Sequence, residues 1–478
     1  MIRRTVTLTF ITLLLSACIH RQSSQTDSIR NYVATASWDR SATFDFQEPV
    51  QITLSNGLRV FLIEREDIPM VFFRTQVRGG SIYDPPGKEG LAYLTGWVLT
   101  EGAEGMPDET IDAMMDSRGA ILTSQAFSES CIATLTCLKK DLDDVFPMYA
   151  GILSRPSLDE TKIRESIGYL KGDLLRLKND LGELCFRRFR ADVFGDHPYS
   201  KPYKGTITGL ESIERQDVVA FYDRYYRPTD AVLIAVGAIT ETELRTLCES
   251  HLSNWTSRTA DPLPEIAPPK PIHGITIRII DQDAVQAQIA LGHIGIDRRN
   301  PDQFALDVLN EILGGGSLAS RLGNEVRVNR GLTYGIYSFF ARREFTGEFA
   351  VSTFTKVESV GQVVEVILNE LRKIRDTAVS EEELRDAKQG LIGQFPLRFE
   401  EYEGLAEEIS YLYYNNLPIE YVKEYSQRIA AISADDLQQA ARTYIDPDNL
   451  TITVVGPADR IEPRSEERRV GKECRSRW

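Results

Sequence analysis

The side chains best able to hold a metal are few in this 478-residue chain: five histidines and six cysteines. Two histidines bind one zinc ion when they stand a helical turn apart, at i and i+4. His197, His251, His273 and His293 have no such spacing, and His20 stands alone near the start. No Cys-x-x-Cys occurs. Cys131 and Cys137 lie in one strand-like run, roughly 20 Å apart at full extension, too far for a disulfide. Cys185 and Cys248 read as buried free thiols. Gly314-Gly315-Gly316-Ser317 is not a phosphate loop, because no Gly-Lys-Ser/Thr follows; it reads as a flexible, hinge-like bend. Lys plus Arg is 55 against 70 Asp plus Glu, a formal net charge of −15. A nucleic-acid backbone needs clustered Lys and Arg, so that class of partner is excluded.

The two ends differ from the body. Met1-Ile2-Arg3-Arg4, an apolar stretch from Val6 to Leu15 and Ser16-Ala17-Cys18 make a secretory signal, too short to span a bilayer. Leu15-Ser16-Ala17-Cys18 also resembles the bacterial lipobox, which implies that residues 1–17 are removed and Cys18 carries the lipid. Residues 18–44 follow as a polar tether. Position 19 is Ile rather than Asp, so the resemblance implies an outer-membrane anchor facing the periplasm. The last fifteen residues, 464–478, are abruptly basic and without apolar periodicity. They resemble the in-frame translation of a sequencing adapter and are excluded from fold reasoning.

The elements that must position any site fall into two halves. Residues 259–273 hold five prolines and read as a stiff, extended linker between domains at 45–258 and 274–463. The first half opens on Gln51 to Leu54, Ser55-Asn56-Gly57 and Leu58 to Ile63, a hairpin signal. Strands follow at 71–77, 121–124 and 131–138, with helices at 88–100, 108–117, 142–153 and a long one at 157–190. Tyr222, Tyr225 and Tyr226 pack a helix end before the buried run Ala231 to Val236. The second half repeats this grammar: strands at 275–280, 288–292, 334–340, 348–354 and 450–455, with helices at 302–313, 360–374, 380–391 and 437–444. "Tyr-Tyr-Arg-Pro … Ile-Ala-Val-Gly" in one half parallels "Thr-Tyr-Ile-Asp-Pro … Thr-Val-Val-Gly" in the other, which predicts a duplicated unit. The fold class is α+β: two homologous halves, each a mainly antiparallel sheet with packed helices, enclosing a cleft.

Across roughly residues 45–460 the chain resembles the pitrilysin/insulinase family of zinc metallopeptidases. The resemblance rests on Leu54-Ser-Asn-Gly-Leu-Arg-Val60, Gly79-Gly80-Ser81, Gly90-Leu91-Ala92, Gly195-Asp196-His197-Pro198-Tyr199 with Gly205-Thr206, and Leu313 to Gly316 with Arg327 and Gly331-Leu332-Thr333-Tyr334. It implies a zinc helix carrying His-x-x-Glu-His directly after Gly-Leu-Ala, with two histidines as ligands and the glutamate as base. Here those positions are Tyr93-Leu94-Thr95-Gly96-Trp97. The family's third ligand is a glutamate further along, where this chain offers at best Asp173. One carboxylate does not supply the three ligands a catalytic zinc needs.

The resemblance also implies that Arg327 and Tyr334, seven residues apart, reach into the cleft and hold substrate. Arg offers a fork of donors to a peptide carbonyl, and Tyr a hydroxyl for a developing oxyanion. In some relatives catalysis is split between a zinc-bearing subunit and one that lacks the motif but keeps this pair. The sequence therefore predicts a non-catalytic subunit of a periplasmic heteromeric peptidase, inactive alone, with no catalytic or metal-binding residue of its own. Zinc is expected in a homologous partner, and peptides are the expected substrates. The alternative is a peptide-binding or scaffold subunit of an envelope complex, with no part in hydrolysis. An enzyme of unorthodox chemistry ranks last.

Overall fold

The computed structural model describes residues 46–258 and 262–461; the signal segment, Cys18, the tether, 259–261 of the linker and the basic tail lie outside them. Two mixed sheets carry the fold. The first contains β1 (Val50–Thr53), β2 (Arg59–Glu64), β3 (Met70–Arg78), β6 (Ile121–Ala126), β7 (Ser130–Leu138) and β8 (Ala231–Gly237), in the order β1-β2-β8-β3-β7-β6. Two-residue strands β4 (Gly102–Ala103) and β5 (Met106–Pro107) pair with each other. The second contains β9 (Thr276–Asp281), β10 (Gln286–Ile294), β11 (Ile336–Ala341), β12 (Glu348–Lys356) and β13 (Thr451–Gly456), in the order β9-β13-β10-β12-β11.

The two orders are the same once β1 is set aside. Each sheet has a single parallel pair, β2 with β8 and β13 with β9, and every other pairing is antiparallel. The duplicated grammar of the sequence is thus a duplicated topology. The apolar run Ala231–Gly237 and its counterpart Thr451–Gly456, which includes two threonines, are buried at every residue, as strands covered on both faces must be.

The helix expected over 157–190 is two helices, Glu160–Leu177 and Leu181–Phe194. Asp180 separates them because its carboxylate accepts the Glu183 N–H at 3.0 Å and caps the second. Residues 262–275 carry no helix or strand, as their prolines require. Gly314 to Gly316 are not a hinge. Gly314 lies within a π-helical turn, Glu311–Gly315, and a Cβ there would stand 2.5 Å from Ser338 Oγ. One at Gly316 would stand 2.7 Å from the Glu311 carbonyl. The glycines are there for close backbone approach, not for movement.

The halves exchange helices. Helix Leu181–Phe194 leaves the first half and packs on β10 and β13 of the second; Cys185 Sγ lies 3.4 Å from the Thr453 carbonyl and Phe186 meets Phe339 at 5.7 Å. Helix Tyr402–Tyr414 returns the arrangement, packing on β3 and β8 of the first sheet. Tyr413 stacks on Phe61 at 4.0 Å, and Ser410 Oγ donates to Gln76 Oε1 at 2.5 Å. Ion pairs tie the same seam. Arg78 meets Glu344 at 2.8 Å and Arg278 meets Asp192 at 2.5 Å. Arg298 donates to Glu129, which also accepts the Glu344 N–H at 2.6 Å and the Tyr199 hydroxyl. Cys131, Cys137, Cys185 and Cys248 are buried and unpaired, as expected.

Candidate functional site

Helix Leu91–Val98 stands where the resemblance puts the zinc helix. Gly90 leads into it with φ +108, a conformation that favours glycine, and has no side chain to cap the first turn. The carboxylate of Asp84 does so instead, accepting the N–H groups of Gly90 at 2.7 Å and Ala92 at 2.8 Å. Burial pushes the Asp84 carboxyl up to about 7, against those hydrogen bonds, which favour its charged form. Seven of the helix's eight residues are buried, all but Trp97.

The positions of the metal motif are filled by aromatic packing. Tyr93 is 6% exposed, and its ring meets Tyr203 edge-on at 5.7 Å. Trp97 stacks on Tyr169 at 5.2 Å. Burial pushes the Tyr93 phenol up to about 12, helped by Tyr203 and by Asp173 on helix Glu160–Leu177, so it stays neutral at ordinary pH. Asp173 itself pairs with Arg176. At Gly96, where the base would be, a Cβ would stand 2.7 Å from the Ala126 nitrogen and 3.2 Å from Cys131 Sγ. The helix is pressed against the sheet at the one position where a glutamate would have to rise. Neutral phenol, indole, glycine and an arginine-paired carboxylate do not form a zinc ligand set. Among the described residues no other group of three or more His, Cys, Asp or Glu is arranged to hold a metal.

Arg327 and Tyr334 come together in the second half. Arg327 is half-buried in a wide helical turn, Gly323–Asn329, and its guanidinium lies 4.5 Å from the centre of the Tyr334 ring. The tyrosine ring is 76% exposed, although its backbone is held. Thr353 Oγ1 donates to the Gly335 carbonyl at 2.8 Å, Thr355 Oγ1 to the Leu332 carbonyl at 2.6 Å, and Thr333 Oγ1 accepts the Gly335 N–H at 3.1 Å. Hydroxyls on β12 thus fix the loop and leave the ring in solvent. Among the described residues no hydrogen bond, ion pair or ring contact joins this pair to Tyr93, Trp97 or Asp173.

The sequence did not mark Tyr169 and Tyr203, which complete the aromatic cluster. No local motif announces them, because one lies mid-helix and the other in an irregular loop more than thirty residues on. The edge strands were legible but not their role: β6, which packs against helix Leu91–Val98, and β11 each have one side unpaired within their sheets. An extended peptide could add to such an edge through its main chain.

Two duplicated halves, a helix at the metal position and an exposed Arg–Tyr pair define a peptidase-type chain whose own metal helix is closed. Family models agree. "Insulinase (Peptidase family M16)" matches residues 59–207, and "Peptidase M16 inactive domain" matches residues 212–391. Together they cover more than half of the chain, and the chain belongs to the M16, insulinase-type, peptidase family. An uncharacterized zinc protease of Streptomyces coelicolor is 24% identical over 411 residues, covering 85% of this chain and 89% of its own length. The mitochondrial-processing peptidase subunit beta of Mus musculus is 24% identical over 423 residues, covering 86% and 85%. The fold matches that of a peptidase M16 inactive domain from Pseudomonas fluorescens, with a TM-score of 0.80 at 23% identity over 86% of this chain and 99% of that one.

Proposed function

We propose that this chain is the non-catalytic subunit of a heteromeric zinc metallopeptidase, supplying Arg327 and Tyr334 to a zinc-bearing homologous partner that cleaves peptides. One observation carries this reading: the pair is preformed, held from β12 and open to solvent, yet makes no contact with the chain's own closed helix. If the pair holds substrate for hydrolysis, the metal must come from another chain, because none of its own stands beside it. The relative named as a beta subunit of a processing peptidase lends support, since such an enzyme has more than one subunit. Zinc belongs, on this reading, to the partner. The partner-bound Arg327 guanidinium grips a substrate carbonyl, and the Tyr334 hydroxyl donates to the oxygen on which charge develops. The Cys18 lipid would hold the assembly at the periplasmic face of the outer membrane; palmitate labelling lost in Cys18→Ser would support that anchor, and equal labelling would exclude it.

The test mixes the purified chain with the product of a neighbouring gene that carries the zinc motif. Peptide hydrolysis should rise well above that of the zinc subunit alone, and Arg327→Ala should return it to that level. Equal activity with and without the wild-type chain sinks the proposal. So does stoichiometric zinc with EDTA-sensitive cleavage by the isolated chain.

A further inference from the structure

Beside the closed helix lies a cavity of about 150 Å³ whose lining is unlike the rest of this acidic chain. Helix Leu181–Phe194 contributes Glu183, Arg187 and Arg190, a turn apart on one face. The following loop contributes Lys201 and Lys204, and the second half contributes Arg343. Five cations therefore line the cavity with one carboxylate. Partners outside it only partly balance them. Glu348, fully buried, serves both Arg190 and Arg343 at 2.8 Å, and Lys201 lies 3.6 Å from Glu89. Arg187 and Lys204 form no ion pair among the described residues: Arg187 donates to the Gly205 carbonyl at 3.3 Å, and the Lys204 ammonium stands 5.9 Å from the Tyr203 ring centre. Three carboxylates against five cations leave two positive charges unanswered. Burial pushes the Arg187 guanidinium pKa down, so holding that charge there costs stability.

We infer that this cavity is a carboxylate site, in which Arg187 and Lys204 hold the end or an acidic side chain of a bound peptide. The size decides the class: about 150 Å³ admits one side chain or a chain terminus, comparable to cavities that take a single benzene ring. A guanidinium and an ammonium are the donors that a carboxylate takes. Position decides the context. Tyr203, which lines the cavity, is the residue whose ring packs on Tyr93, so the site borders the place where the family's metal would stand. The inference rests on the peptide-binding reading above and adds the polarity of the ligand to it. A peptide anchored there is selected by charge in a chain whose overall field repels carboxylates, so the local surplus acts as a filter.

Three fluorescein-labelled nonapeptides of one sequence distinguish the sources: one with a neutral amide end, one with a free carboxylate end, and one with an amide end and a central glutamate. Anisotropy titration of the full chain should show one of the acidic peptides binding about tenfold tighter than the neutral one, the scale of a charge-assisted hydrogen bond. Which of the two it is names the source. The preference should vanish in Arg187→Gln/Lys204→Gln. Lys204→Gln alone keeps Arg187 and its bond to Gly205, guards against a folding failure of the double variant, and should lose about threefold of the preference. Equal binding of all three peptides, or a preference that survives both variants, overturns the site but leaves peptide binding standing. No binding of any peptide overturns both readings.

Discussion

Helix Leu91–Val98 and the loop bearing Tyr334 are opposite treatments of two positions that the family resemblance singles out. In the first, Tyr93 is buried against Tyr203 and Gly96 sits against the Ala126 backbone, while half-buried Trp97 stacks on Tyr169 at the rim. In the second, the backbone is pinned by Thr353 and Thr355 while the Tyr334 ring stays in solvent. A position released from chemistry can be recruited by the core, because buried aromatic surface stabilises at about 25 cal/mol per Å². A position with a ligand to meet gives up that burial and must be held by hydrogen bonds to its main chain instead. Tyr334 is thus an exposed ring on a held backbone, whereas the helix at the metal position is packed shut.

The sharpest break of this contrast would be to put the motif back. Gly96→Glu forces a Cβ into the Ala126 nitrogen and a carboxylate into an aromatic cluster. We expect a loss of about 4 kcal/mol or more in urea unfolding, from overpacking and buried charge together. A Tyr93→His/Gly96→Glu/Trp97→His variant that folds normally and binds zinc would refute the closed-helix description. Next, Tyr93→Ala should cost about 3 kcal/mol as a large-to-small change in the core, whereas Tyr334→Ala should stay within about 0.5 kcal/mol in the same assay. Equal costs would erase the distinction between the two regions.

Asp84 tests the cap of the closed helix. Its folded carboxyl, near 7, lies above the ordinary value of about 3.9. Between those values the folded chain holds a proton that the unfolded chain releases, so this group's contribution falls as pH rises from about 4 to about 7 and is level above that. Asp84→Asn should therefore gain on wild type as pH is raised across that window, measured as the difference in urea midpoints at pH 5 and pH 8. A constant difference would mean that the carboxylate is charged throughout. The smallest effect belongs to the held loop: Thr353→Val removes the hydroxyl that bonds Gly335 and should cost about 1 kcal/mol.

Much of this was legible in the sequence. The loss of the metal motif at Tyr93, Gly96 and Trp97 is a matter of residue identity, and the strands of both halves follow from period-two and fully apolar runs. The division of 157–190 at Asp180 was missed, although Asp before a helical run is a start signal. Other features were not legible. Helix Tyr402–Tyr414 has aromatic residues on several faces, and only its seat on β3 and β8 explains them. The Gly314 run looked mobile because flexibility is glycine's local property, while the contact with Ser338 that requires it comes from a strand two dozen residues away. The basic side chains of the cavity come from three separated segments and have no sequence signature at all.

The exchanged helices have a further consequence. Helix Leu181–Phe194 covers a sheet made after it in the chain, and helix Tyr402–Tyr414 covers one made before it. Neither half, cut at the linker, could close its own interior, so the two should melt in one cooperative transition. A protease nick within 262–273 would sever the covalent thread without separating the pieces. The fragments should travel together through gel filtration and be parted only by denaturant, as complementing halves of one interwoven body.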